Sequence, residues 1–364
     1  MQSSRPHKIY LTLRKWVDQL GFDRVLLFIL GAAVLGLLAL GMGKNLVGWD
    51  DSSAKVTFFQ IGTGSTGGTY FPMGEVLAAV ISQPPGSDPC LPGTHCGVPG
   101  LVAIAKGSAG SVANVRSVAD GRLESALVQA NVLAAAYAGT GEFEGEGARE
   151  NLRVIANLYV EAIHLVAARG VNVNSVSDLN GMRVSIGPEG SGTRADAIEI
   201  LKAYGISLKD IDVVEADASQ SAEMILSGRL DAYFLVAGAP ARSIDDLAVR
   251  GAVDLIPING EPAEKLRINH PFYSHLVIPE GTYRHIDEVE TLGLGALWIT
   301  RSTTPGDLIY NVTRALFDER NHETLVSSHE SGEKVSLARA VTGVPILLHP
   351  GAELYYFEVD ILER

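Results

Sequence analysis

The sequence predicts an α/β protein whose two lobes hold a ligand between them, and three observations carry that expectation. From Val56 onward, short apolar runs alternate with amphipathic segments, as strands alternate with helices. The stretch Phe58–Met73, FFQIGTGSTGGTYFPM, joins such a run (Val56, Phe58, Phe59, Ile61) to a Gly/Ser/Thr loop. A helical pattern through Met73, Val76, Leu77, Val80 and Ile81 follows it. Much later the arrangement returns: Arg183–Ile186 is a strand, Gly187–Thr193 (GPEGSGT) a loop, and Ala195–Tyr204 a helix. A strand that feeds a small-residue turn and a helix start leaves backbone N–H groups free at the positive end of the helix dipole, which suits an anion.

At 364 residues the chain has room for two ordinary domains and an accessory segment. That segment is N-terminal. Val25–Gly43 (VLLFILGAAVLGLLALGMG) holds no charge and has the length of a membrane-crossing helix. Arg5, Lys8, Arg14, Lys15 and Arg24 precede it, which keeps residues 1–24 cytoplasmic and exports the remainder. The span is read as an uncleaved anchor, with a long signal peptide cut near Ala39-Leu40-Gly41 as the alternative. Residues 44–54 form a polar linker.

The two cysteines agree with export. Cys90 and Cys96 lie in PPGSDPCLPGTHCGVPG, a Pro/Gly-rich loop, and in an oxidising compartment they form a small surface disulfide. A metal site using His95 lacks a fourth ligand nearby, and none is expected.

After the first helix and the cysteine loop, Leu101–Ile104 reads as a strand and Lys106–Asn114 (KGSAGSVAN) as a third small-residue turn before a helix. Ala126–Gln129 is a strand, with Asn131 at the N-cap position of the helix that ends near Tyr137. Glu142–Glu150 is an acidic, glycine-rich surface loop. Val154–Leu158 and His164–Ala167 are two strands, the second carrying the chain to the other lobe. Ile211–Glu215 and Ala232–Val236 are strands; Ser219–Ser227 and Arg242–Gly251 are helices. Leu255–Pro257 begins a return path through Pro271–Ile278 to a strand at Leu292–Ile299. Helices at Pro305–Phe317 and His322–Val326 and the tail HPGAELYYFE complete the chain.

A formal charge of −13 and the lack of a basic stripe exclude nucleic acid as a partner. Catalytic signatures are thin. No serine sits in GxSxG, there is no HExxH, and His270, His275 and His285 match no metal template. Gly62, Gly64 and Gly67 spell GxGxxG, but no acid stands at the end of the next strand to hold a ribose. An exported dinucleotide-dependent oxidoreductase is thus a minor alternative, and a ligand-sensing or scaffold module another. The chain reads as a binder, not an enzyme, with no cofactor.

The runs IGTGSTGGTYFPMG, GSVANV (Gly110–Val115), ALVQAN (Ala126–Asn131) and LYVEAIHLVA (Leu158–Ala167) resemble the TAXI family, the solute receptors of TRAP (tripartite ATP-independent periplasmic) transporters. DLNGMRVSIGPEGSGTR (Asp178–Arg194), GRLDAYFLVAGAP (Gly228–Pro240), IPEGTYR (Ile278–Arg284) and HPGAELYY (His349–Tyr356) extend the resemblance to the C-terminus. It implies a type II periplasmic binding-protein fold, with residues 55–162 and 272–364 as lobe 1 and residues 163–271 as lobe 2. It also implies a periplasmic location, a membrane permease as partner, and a small organic acid or amino acid, glutamate- or dicarboxylate-like, as ligand.

Carried over position by position, the resemblance puts Ser65, Thr69 and Tyr70 at the ligand from the first lobe, with Asn114 and Gln129 adding side-chain hydrogen bonds. Ser191, Gly192 and Thr193 close from the second lobe, and Gly238 lets its backbone approach. Each has a plainer reading: Ser191, Thr193 and Asn114 as helix caps, Tyr70 as core, and the loop glycines as turn formers. Arg194 is either a bidentate clamp or a solvated side chain. One departure stands out: where many relatives have an aspartate after the VQ strand, this chain has Asn131.

Overall fold

One mixed sheet of ten strands organises residues 56–87 and 96–363, the part that this computed structural model describes. The expected membrane span at Val25–Gly43 and the cysteine Cys90 lie outside the described residues. Cys96 is buried and is not a free thiol.

The chain enters with β1 (Thr57–Gly62), continues through α1 (Tyr70–Ile81) and a small pair β2 (Ser82–Gln83) and β3 (Val98–Pro99), and returns as β4 (Leu101–Lys106). Next come α2 (Ser111–Ala119), β5 (Ser125–Gln129), α3 (Ala130–Ala138) and a long strand, β6 (Leu152–Ala168). The middle of the chain forms β7 (Arg183–Ser185), α4 (Gly192–Ala203), β8 (Asp212–Val214), α5 (Ala218–Leu226), β9 (Ala232–Ala237) and α6 (Arg242–Val249). Then follow β10 (Val253–Ile256), α7 (Gly260–Asn269), β11 (Ser274–Ile278) and a second long strand, β12 (Val289–Arg301). Four helices end the chain: α8 (Gly306–Leu316), α9 (Glu319–Ser328), α10 (Leu337–Ala340) and α11 (Pro350–Glu358).

The strand order β4-β1-β5-β12-β6-β9-β7-β8 has a parallel triplet at each end, β4-β1-β5 and β9-β7-β8. Between them run the antiparallel long strands. β12 pairs with β5 through Ala296–Thr300 and with the first part of β6, from Gly293↔Ala162 to Arg301↔Leu152. The later part of β6 pairs with β9, from Ala162↔Ala237 to Ala167↔Ala232. Both halves of the sheet therefore share β6 and β12 as a backbone.

Helices cover both faces of each half, and the apolar periodicity of each decides which side is buried. In α1 the buried positions Met73, Val76, Leu77, Val80 and Ile81 form one stripe against Phe59, Ile61 and Leu101. The opposite face of that half buries Val112, Val115, Val118 and Leu133. In the other half, Ala197, Ile200 and Leu201 of α4 pack with Val184 and Phe234, while Ile225, Ile244 and Leu247 pack on Tyr233 and Leu235. Each fully buried side chain of this size contributes roughly 1.5–3 kcal/mol.

Three sequence expectations change. Val154–Leu158 and His164–Ala167 are not separate strands but parts of β6, because the polar residues between and within them are paired or packed in the sheet rather than breaking it. The supposed return path after Leu255 contains α7, whose Pro262, at the third helical position, has no N–H for the first turn to leave unmatched. Asn131 is not an N-cap: α3 starts at Ala130 with Gln129 as its cap residue, so Asn131 lies inside the first turn.

Candidate functional site

The parallel strands of both halves end toward the same crevice, where the loops that follow them run into helix N-termini. From the first half come the starts of α1 (Thr69, Tyr70) and α2 (Gly110, Ser111); from the second, those of α4 (Ser191, Gly192) and α5 (Asp217, Ala218). Together with Gly64, Ser65, Gln129, Glu161 and Phe234 they line a cavity of about 340 Å³, a size suited to a small solute.

The halves touch at the rim. The Ala113 N–H donates to the Gly190 carbonyl at 3.0 Å, and Thr69 Oγ1 donates to the Gly238 carbonyl at 3.2 Å. A Cβ built on Gly192 would lie 1.7 Å from Gln129 Oε1 and 2.9 Å from Ser111 Oγ, so this approach of one half to the other leaves no room for a side chain at 192 unless Gln129 moves.

Local sequence explains each helix start. Ser191 Oγ accepts from the Arg194 N–H at 3.1 Å as the N-cap of α4 and donates to the Pro188 carbonyl at 2.7 Å. Asp217 and Gln220 form a reciprocal capping box at α5. Thr69 and Gly110 make no side-chain cap bond, so the first N–H groups of α1 and α2 are not capped from within the turn.

The residues expected at the ligand separate into two groups. Ser65, Thr69, Tyr70, Gln129, Ser191, Gly192 and Thr193 all line the cavity. Asn114 and Gly238 do not. The Asn114 amide is buried and spent inside the first half: its nitrogen donates to the carbonyls of Thr63 and Leu127, both at 2.7 Å, and its oxygen accepts from Ser108 Oγ. Gly238 presents its carbonyl to Thr69, and a Cβ there would meet Ser331 Oγ at 2.5 Å. Arg194 pairs with Glu215 and is not on the cavity wall. Asn131 is also elsewhere, donating to Asp196 Oδ1.

Glu161 is the wall residue that motif reading passed over. It sits on β6, 1% exposed, with Oε2 accepting from the Tyr70 hydroxyl at 2.7 Å. Burial pushes its carboxyl up to about 8, against the Tyr70 bond, and the nearby Asp196 adds to the rise. Asp196 is itself raised to about 7 by burial, although Tyr273 and Asn131 donate to it. Burial and the Glu161 charge hold the Tyr70 phenol well above its usual range. A single acid inside the apolar run LYVEAIHLV was the available signal, since an ionisable residue within a buried strand is rarely there for packing.

No lysine, arginine or histidine is among the described residues of the wall; its ionisable acids are Glu161 and Asp217. Gln129 is 2% exposed, and its Oε1 accepts no hydrogen bond from the described residues. Nor do the described residues hold a group of three or more His, Cys, Asp or Glu placed for a metal ion. The uncapped starts of α1 and α2 offer backbone donors to an oxyanion, and the Glu161 carboxyl stands on the same wall.

Residues 61–359 match the profile of the NMT1-like family. Among solved structures, the chain is similar to the alkanesulfonate-binding protein SsuA from Xanthomonas axonopodis pv. citri, with 15% identity and a TM-score of 0.43, over 83% of this chain and 84% of that one. It is also similar to the periplasmic aliphatic sulphonate binding protein SsuA from Escherichia coli, at 12% identity and 0.40, over 82% of each. A third likeness is to the ligand-binding component of an ABC-type import system from Staphylococcus aureus, at 10% and 0.47, over 84% and 93%.

Proposed function

The chain belongs to the NMT1-like family, and on that footing we propose that it is an extracytoplasmic solute-binding receptor of the TAXI type, which captures a small carboxylate between two lobes and delivers it to a TRAP permease. The observation that carries the reading is the meeting of four helix starts, two from each half of the sheet, on one small cavity. Backbone N–H groups at such starts hold a carboxylate without a fixed cation, as the wall composition requires.

In this reading, Ser65, Thr69, Tyr70, Gln129, Ser191, Gly192 and Thr193 contact the solute, while Asn114 shapes the first lobe and Gly238 the rim. β6 and β12 are the crossover strands. Tyr273, Ile278, Leu292 and Leu294 pack with the second half, which supports a return crossing near Gly293–Gly295 rather than at residues 271–272. The ligand drives closure because it gains contacts from both lobes only when they meet. Val25–Gly43 anchors the receptor in the membrane and raises its concentration beside the permease. The permease assignment rests on the motif resemblance.

A thermal-shift screen of the full chain in detergent against organic acids and amino acids tests the reading. A solute at a hundredfold its dissociation constant stabilises by ~2.7 kcal/mol and raises the melting temperature. Ser191→Ala together with Thr193→Ala removes the cap bond from the Arg194 N–H and the bond from the Val236 N–H to Thr193 Oγ1, and so weakens that response by loosening the start of α4 while the unliganded protein still melts cooperatively. A response that the double variant keeps in full contradicts the site.

A further inference from the structure

Resting on the receptor reading above, we propose that Glu161 is a solute-binding residue that acts as a neutral acid. It donates its proton through Oε1 to an acid oxygen of the solute, so that capture is linked to a proton.

Glu161 stands on the cavity wall, almost wholly buried. Its Oε2 accepts from the Tyr70 hydroxyl at 2.7 Å, while Oε1 has no hydrogen-bond partner among the described residues. A phenol carries one proton, so Tyr70 has none left to donate to the solute. An ionised Glu161 could only accept, and it would face the solute's carboxylate across a cavity whose described lining holds no cation. Two carboxylates in one desolvated site do not both stay ionised; they share a proton. That proton rests on Glu161, because the N–H groups at the helix starts stabilise the ionised form of the solute's acid. A carboxyl O–H donating to a carboxylate oxygen is then a charge-assisted hydrogen bond.

The surroundings agree. Glu161 is faced by Tyr70 of α1, by Tyr159 on its own strand and by Asp196 of α4; Asp217 at the start of α5 shares the cavity. None of these is a cation. Leu294 lies opposite it on β12, and His164, three residues on, is bonded to Tyr283 and kept neutral by burial. Lys334, on the turn 330–334 that packs against β6, donates to the Ala239 carbonyl. Burial raises the Glu161 carboxyl to about 8 before any solute arrives, and a bound carboxylate raises it further. Below that pH both the free and the bound protein hold the proton, and affinity is level. Above it the free protein has lost the proton and must take one from solvent as the solute docks. Affinity then falls, approaching about tenfold per pH unit.

Calorimetric titration of the full chain in detergent with succinate, 2-oxoglutarate and L-glutamate tests this, since their carboxyl groups stay ionised from pH 7 to pH 9. The expected result is binding about tenfold weaker at pH 9 than at pH 7, with proton uptake visible as buffer-dependent heat between them. Glu161→Gln keeps a donor but no titrating group, so its affinity is the same at both pH values and it takes up no proton. Asp196→Asn retains the uptake, which separates the two buried acids. Native binding that is level or tighter at pH 9, proton release, or a Glu161→Gln variant that keeps the native pH dependence overturns the role of Glu161 and leaves the receptor reading standing. If none of the three acids binds at pH 7, the receptor reading falls and this inference with it.

Discussion

Asn131 Nδ2 lies 2.8 Å from Asp196 Oδ1, joining α3 of the first half to α4 of the second beside the cavity rather than inside it. Tyr273 donates to the same oxygen, while Asp196 Oδ2 has no donor among the described residues. The contact is a latch between halves, and its chemistry depends on residue 131 being an amide.

Asn131→Asp puts two carboxyl groups in hydrogen-bond range, and they share one proton until pH rises. The variant should match the native protein near pH 5 and lose on the order of 2 kcal/mol near pH 8. Denaturant unfolding at the two pH values reads the difference.

The latch also shows why residue 131 was misplaced by sequence. An Asn one residue past a strand is a reasonable N-cap, and only the position of α4 reveals another partner. The alternation of strands and helices and the small-residue turns were readable because both rest on local chemistry. The continuity of β6 was not, since Glu161 looks like a break until its long-range partner is known. The resemblance puts Asn114 at the ligand, whereas its amide donates to the Thr63 and Leu127 carbonyls, which come together only in the folded sheet.

Gly192→Ala should leave folding nearly intact but weaken solute binding by at least ~10-fold. The added methyl meets the far end of Gln129, which can swing aside, and the cavity wall is then rebuilt. Calorimetry beside thermal melting separates the two effects.

Arg194→Ala should change solute affinity by less than about twofold, because the guanidinium pairs with Glu215 within the second half. An exposed pair of this kind contributes about 0–1 kcal/mol to stability. Titration of the variant distinguishes this from a clamp on the solute.

Burial of Glu161 costs stability as the pH rises. Its folded carboxyl is raised from 4.5 to about 8, so the folded state holds more protons than the unfolded across that range. Stability from this group is full below about 4.5 and is lost as pH climbs through 8. Glu161→Gln should therefore gain on the native, solute-free protein between pH 5 and pH 8, by on the order of 3 kcal/mol. Paired unfolding curves across that range check it.

His164 acts with the opposite sign. Its ring is buried, with Nδ1 3.2 Å from the Leu235 carbonyl and Nε2 3.0 Å from the Tyr283 hydroxyl, a set that a neutral imidazole satisfies. Burial lowers it to about 4, so the unfolded state takes up the extra proton below about 6.5. Stability from His164 is full above 6.5 and falls as the pH drops toward 4. Denaturation midpoints at pH 7 and pH 4.5, compared with those of His164→Gln, should show a steeper acid loss in the native protein.

The most direct test of the account is a crystal structure of the protein with the tightest solute from the screen. The account predicts the acid oxygens within ~3.2 Å of backbone N–H groups from at least one helix start in each half, α1 or α2 on one side and α4 or α5 on the other. A solute seated outside the cavity, or with its acid group held by one half alone, would contradict it.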